Sequence, residues 1–124
     1  MISVDTHLAA RAAVAPHPDR PATAVLLDTA DVRLVVFRLR PGQAVPPHRS
    51  PSSVVISVLS GCGILSGENG ERLCGAGEIA AFEPQELHGM RATEKELLLL
   101  ATITPRPGSR PSTTAPELAG EGVG

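Results

Sequence analysis

Aromatic side chains are almost absent from this chain. Phe37 and Phe82 are the only two, and Trp and Tyr are missing altogether. A stacking platform for nucleobases needs several rings, so single-stranded nucleic acid is excluded as the main ligand. Interface hot spots built on Trp or Tyr are excluded too. An excess of positive charge is also lacking: 11 Lys and Arg stand against 13 Asp and Glu, for a formal net charge of -2. Such a surface does not neutralise a phosphate backbone. No apolar run nears the ~20 residues that cross a bilayer; the longest is Leu97 to Ala101. The start, Met1-Ile2-Ser3-Val4-Asp5, has neither the basic nor the apolar region of a secretory signal. The expectation is a cytoplasmic, bacterial-type protein without nucleic-acid or membrane partners. Cys62 and Cys74 are then expected to be free thiols. Cys-x-x-Cys, Gly-x-Ser-x-Gly and phosphate-cradling glycine loops are all missing.

What is present points to one globular domain. Hydrophobic residues make up 42% of 124, enough for a single core. Twelve Gly and 12 Pro cut the chain into short elements. Residues 1–20 read as an N-terminal arm with a short helix. Asp5 caps it, it runs to Arg11 or Ala12, and Leu8 is its only large apolar anchor. Residues 106–124 are rich in Pro, Gly, Ser, Thr and Ala and read as a disordered tail. Between them, 21–105 reads as strands: Ala22 to Leu27, Val32 to Leu39, Val54 to Leu59, Gly61 to Leu65, Glu71 to Cys74, Ile79 to Phe82, His88 to Ala92 and Glu96 to Ile103. Asn69-Gly70 marks a hairpin and Glu83-Pro84-Gln85-Glu86 a turn. Short strands at this spacing indicate an all-β sandwich or barrel. The segment Val32 to Leu39 is apolar at both parities. Both its faces should be covered, one by the N-terminal arm or by a second subunit. Arg33, Arg38 and Arg40 read as a solvated strand face.

The spacing of glycine and histidine resembles the cupin superfamily. The family's first motif is Gly, five residues, His-x-His, three or four residues, Glu, six residues, Gly. Here Gly42, His48, Ser50, Val54 and Gly61 stand at those places. The second motif is Gly, five residues, Pro-x-Gly, two residues, His, three residues, Asn. Gly77, Gln85, His88 and Ala92 fall in register, with the proline displaced to Pro84. The resemblance spans roughly Pro21 to Pro105. It implies a double-stranded β-helix, or jelly-roll barrel, and commonly a homodimer. It also implies a divalent metal (Fe, Ni, Zn, Mn or Cu) held by two His and a Glu of the first motif and one His of the second. His48 and His88 match two of those ligands, whereas Ser50 and Val54 replace the others. Ser is a poor ligand for a first-row ion and Val is none. A third ligand would have to come from elsewhere, with Glu86 the nearest candidate.

Alternation along strands places Val54, Ile56 and Val58 on one inward face and His88 and Met90 on another. The candidate pocket is therefore His48, Ser50, Val54, Ile56, Val58, His88 and Met90. Three functions remain open. One is a small-molecule binding cupin with His48 and His88 as polar anchors. Another is a metal-dependent dioxygenase or isomerase using His48, His88 and a non-standard third ligand. The third is a structural or regulatory dimer whose interior is only core.

Overall fold

The computed structural model describes residues 1–105. The tail expected over 106–124 lies outside them. Among the described residues one helix, α1 (Thr6–Ala12), precedes nine strands: β1 (Ala22–Asp28), β2 (Arg33–Leu39), β3 (Ala44–His48), β4 (Ser53–Ser60), β5 (Cys62–Gly67), β6 (Gly70–Gly75), β7 (Ile79–Phe82), β8 (His88–Ala92) and β9 (Leu97–Thr104). They form two antiparallel sheets, one ordered β1-β2-β9-β4-β7 and the other β3-β8-β5-β6. The sheets face each other as a double-stranded β-helix but are not hydrogen-bonded into a closed barrel. The double-stranded β-helix expected from the sequence is present, with its sheets open at both flanks rather than closed into a barrel. One open flank lies at β6 and β7. Both are edge strands, each in a different sheet, and a tight turn through Ala76 and Gly77 links them without a ladder.

The core follows from the period of two. Leu97, Leu99, Ala101 and Ile103 of β9 point between the sheets with Val35, Phe37 and Leu39 of β2 and Val54, Ile56 and Val58 of β4. Leu65, Cys74, Met90 and Ala92 meet them from the other sheet. The opposite parity of β2 and β9 supplies Val36 and Leu98, buried beneath α1. So the second apolar face of β2 is covered by the N-terminal arm.

The helix differs from its sequence reading in one respect. Asp5 caps it by accepting the Leu8 N–H at 3.0 Å. Leu8 itself is 66% exposed, and Ala10, fully buried, is the anchor. A flat sheet face admits close approach of a small residue, and Ala10 provides it. Arg38 then clamps the helix end. It donates to the Arg11 carbonyl at 3.2 Å and to Glu96 at 2.6 Å. Arg38 is thus a half-buried strap between the helix end and the start of β9, and Arg33 pairs with Asp28 at 3.2 Å.

Two further local readings change. The sequence reading assigned no strand to Ala44–His48, but β3 forms there although Pro46 and Pro47 lack the backbone N–H. β3 tolerates them as an edge strand, where donors on the open side are not needed. The hairpin marked by Asn69-Gly70 is present, its loop narrowed from 66–70 to Glu68-Asn69, with Gly67 facing Gly70. Gly70 still supplies the positive φ, at 127°. Cys62 pairs with Gly75 and Cys74 with Gly63, so the two thiols point to opposite faces of their sheet, and both are free. Burial, reinforced by the Glu78 carboxylate, pushes the Cys74 thiol above its ordinary pKa.

Candidate functional site

The two motif histidines meet across one strand pair. His48 on β3 is the register partner of His88 on β8. The pairing runs Val45 to Met90 and then His48 to His88, three steps on β3 against two on β8. That irregularity sits at Pro46 and Pro47, as expected for a bulge that re-aims a side chain. Gly89 makes room for it. A Cβ there would lie 3.0 Å from the Val45 oxygen and 3.1 Å from the Pro47 nitrogen. The imidazole centroids end up 4.5 Å apart with planes tilted by 53°.

Each ring is held in the same way. His48 Nδ1 lies 3.0 Å from the Pro46 carbonyl, and His88 Nδ1 lies 2.9 Å from the Glu86 carbonyl. A carbonyl oxygen only accepts, so Nδ1 carries the hydrogen in both rings. In the neutral ring Nε2 is then a lone-pair acceptor. His48 Nε2 is buried and has no hydrogen-bond partner among the described residues. An unmatched buried acceptor costs about 1–3 kcal/mol. Such an unmatched atom marks His48 as a candidate site residue.

The remaining predicted residues take different places. Met90, Val54, Ile56 and Val58 are all buried on the inner faces. Ser50 is 1% exposed, but its Oγ accepts the Ser52 N–H at 3.2 Å and its carbonyl accepts the Gln85 N–H at 2.7 Å. It therefore holds the β3–β4 loop. Glu86 is similarly occupied. One carboxylate oxygen accepts the Glu83 N–H at 3.0 Å and the other the Glu68 N–H at 3.2 Å. These bonds shape the loop that leads into His88.

Sequence reasoning missed Phe82. Its ring stacks on His88 at 4.8 Å and 20°. Nothing in the sequence signalled it, because the β4–β7 pairing is what sets Phe82 opposite Val54, an inward position. The motif glycines also have a physical reason. Gly42, Gly61 and Gly77 adopt φ of 83°, 81° and 90°, a region where a Cβ is strained. Gln85, where the motif has glycine, is the only described non-glycine residue with positive φ, at 68°.

A metal held at the family's four positions does not fit this donor set. Two imidazole nitrogens are present. Val54 has no donor atom, the Ser50 hydroxyl is engaged, and both Glu86 oxygens already accept backbone N–H groups. Among the described residues, no group of three or more His, Cys, Asp or Glu could hold an ion. Two neutral imidazoles bind a first-row ion only weakly, the other positions falling to water.

The loop end beside the pair is laced by polar contacts. Arg49 donates to the Gln85 carbonyl at 2.6 Å and to Glu68 at 2.8 Å. The Leu87 N–H donates to Glu68 at 3.1 Å. That backbone bond, and then Arg49, hold the Glu68 carboxyl below its ordinary pKa. The Arg49 and Glu68 side chains are each about half exposed, so solvent screens their charge attraction. The backbone bonds do more to set the loop.

The sandwich and its His pair define a double-stranded β-helix protein with an interior polar site. The cupin domain model matches residues 35–104, more than half of the chain, and the protein belongs to the cupin family. Among solved structures, a protein from Thermus thermophilus is similar at 25% identity and a TM-score of 0.77, covering 86% of this chain and 100% of that one. A Klebsiella pneumoniae double-stranded β-helix protein matches at 26% identity and 0.71, covering 82% and 90%. KdgF from a Halomonas species matches at 20% identity and 0.70, covering 76% and 87%. The last likeness shows the fold alone. No curated protein matches the chain. Among the described residues no helix is long and apolar enough to cross a membrane.

Proposed function

We propose that this cupin binds a small polar organic molecule between its sheets, with the imidazoles of His48 and His88 as anchors. One observation carries the reading: His48 Nε2 is a buried acceptor without a protein partner among the described residues, in a ring whose other nitrogen is tied to a backbone carbonyl. A ligand that satisfies it brings an O–H or N–H group. The inner faces are apolar, with Val54, Ile56 and Met90 among their residues, and favour a compact molecule with few polar atoms. Carboxylates that only accept are disfavoured while the rings are neutral, since two lone pairs would face each other.

Metal analysis and thermal melting test this together. The untagged, unchelated protein is compared with His48→Ala and His88→Ala. Well under one metal per chain, unchanged by either substitution, is expected. Melting is then followed with propane-1,2-diol, catechol and acetamide as donor-bearing probes. A binder raises the melting temperature by mass action, and His48→Ala removes the rise. Near-stoichiometric metal lost in both variants would replace this reading with a metal-dependent enzyme. A flat response to every probe would leave a filled core in a structural protein.

A further inference from the structure

The route to the imidazole pair can be read from what is tied and what is open. At the loop end, residues 49–52 and 83–87 are joined by the Gln85 to Ser50 backbone bond and by Arg49 on the Gln85 carbonyl, and both segments are tied to Glu68 of the β5–β6 hairpin by Arg49 and the Leu87 N–H. Entry there breaks several hydrogen bonds at once, two of them made by the Arg49 cation. The flank between β6 and β7 carries no ladder, and its ties sit at its two ends: the β6–β7 turn, bonded to Val58, and the Glu68 N–H bond to Glu86. The two strands are edge strands of different sheets. A cleft of about 620 Å³ runs between them, with Leu65, Cys74, Ala80 and Phe82 among its walls. The ion pair there, Arg72 to Glu78, is long at 3.9 Å, and its arginine side chain is mostly exposed.

Phe82 belongs to both places. It lines the cleft, and its ring lies on His88 at 4.8 Å. Gly67 faces it from β5. A Cβ on Gly67 would come within 3.3 Å of the Phe82 ring and 2.9 Å of the Glu86 carboxylate. The glycine therefore leaves the ring its space. Phe82 is 7% exposed and part of the core, so swinging it gives up core contacts and the ring stack on His88 but no hydrogen bond.

We infer that the lateral cleft between β6 and β7 is the entrance to the His48–His88 pair, and that the Phe82 side chain is its gate. The ring then selects what reaches the imidazoles by size. This rests on the small-molecule reading above, but its test needs no ligand.

Diethyl pyrocarbonate transfers an ethoxycarbonyl group to an unprotonated imidazole nitrogen, displacing ethanol and carbon dioxide, and reports access histidine by histidine in a mass spectrum. His17 is exposed and serves as the internal reference. In the wild type His48 and His88 react slowly relative to His17. Phe82→Ala should accelerate both at least tenfold with His17 unchanged. Arg49→Ala, which unlaces the loop end, should change them less than twofold. Acceleration by Arg49→Ala but not by Phe82→Ala overturns the proposal in favour of entry through the loops. No acceleration in either variant overturns it as well. Amide exchange of Leu98 and Leu99 guards against general loosening. If those amides speed up in parallel with the histidines, the gate is refuted. Phe82→Leu keeps an apolar wall without the stack and should give a several-fold acceleration even if the alanine variant does not fold. Because no ligand enters the assay, its failure leaves the binding proposal standing. The converse also holds.

Discussion

His48 and His88 are mirror partners across the β3–β8 ladder, and each ring gives its Nδ1 hydrogen to the carbonyl two residues before it. The two backbones thus impose the same tautomer on both rings. The consequence for His48 is an acceptor nitrogen buried without a partner among the described residues.

This implies a trade between stability and binding at His48. His48→Leu removes the unmatched acceptor while keeping most of the volume. The ligand-free variant should be as stable as the wild type or up to about 1 kcal/mol more so by urea denaturation. It should also lose any probe-induced rise in melting temperature. A loss of stability above about 1 kcal/mol would show that the ring nitrogen is satisfied within the fold.

Gln85 occupies the left-handed region at φ 68°. A Cβ there costs about 1–2 kcal/mol, partly offset by the entropy that glycine adds to the unfolded chain. Gln85→Gly should therefore stabilise the protein by roughly 0.5–1 kcal/mol. Equilibrium unfolding at neutral pH measures it. Destabilisation would mean that the Gln85 side chain makes contacts worth more than the backbone strain.

Gly61 and Gly42 have nearly the same φ, 81° and 83°, but different surroundings. A Cβ on Gly61 would collide with the Glu96 carbonyl, whereas one on Gly42 would meet nothing within 4 Å. Gly42→Ala should cost about 1 kcal/mol from conformation alone. Gly61→Ala should cost more than about 3 kcal/mol or prevent folding, since backbone must move. Equal melting temperatures for the two variants would contradict this.

Glu68 links stability to acid. Its folded pKa lies below the ordinary value of 4.5, first through the Leu87 N–H and then through Arg49. A depressed carboxyl contributes stability above its unfolded pKa and loses it as pH falls through the folded one. In Glu68→Gln that contribution is gone at every pH. The two proteins should differ in stability at pH 6 and converge below the folded pKa of Glu68. Unfolding curves from pH 6 to pH 2 test this, and a constant gap across that range would rule it out.

Much of the fold was legible because strand alternation and glycine spacing are local. The strands Ile79–Phe82 and His88–Ala92 have the bounds expected from the sequence. The motif glycines Gly42, Gly61 and Gly77 sit at positive φ, so their spacing encodes turns directly. The candidate site was legible only as a set of names. Ser50 and Glu86 looked like ligand positions, and their oxygens are instead used to shape loops. Nothing in the spacing indicated which polar atoms would already be matched.

The sequence by itself determined a β-rich cupin chain, an Asp5-capped helix and a pair of histidines at motif spacing. It did so because residue period, capping and turn chemistry act over a few neighbours. Tertiary structure alone decided that Ala10 rather than Leu8 seats the helix, and that the sheets stay open between β6 and β7. It also decided that a bulge at Pro46 and Pro47 brings His48 onto His88, with Phe82 beside them. Those outcomes depend on pairings between segments about 40 residues apart, where packing and hydrogen-bond matching select the arrangement.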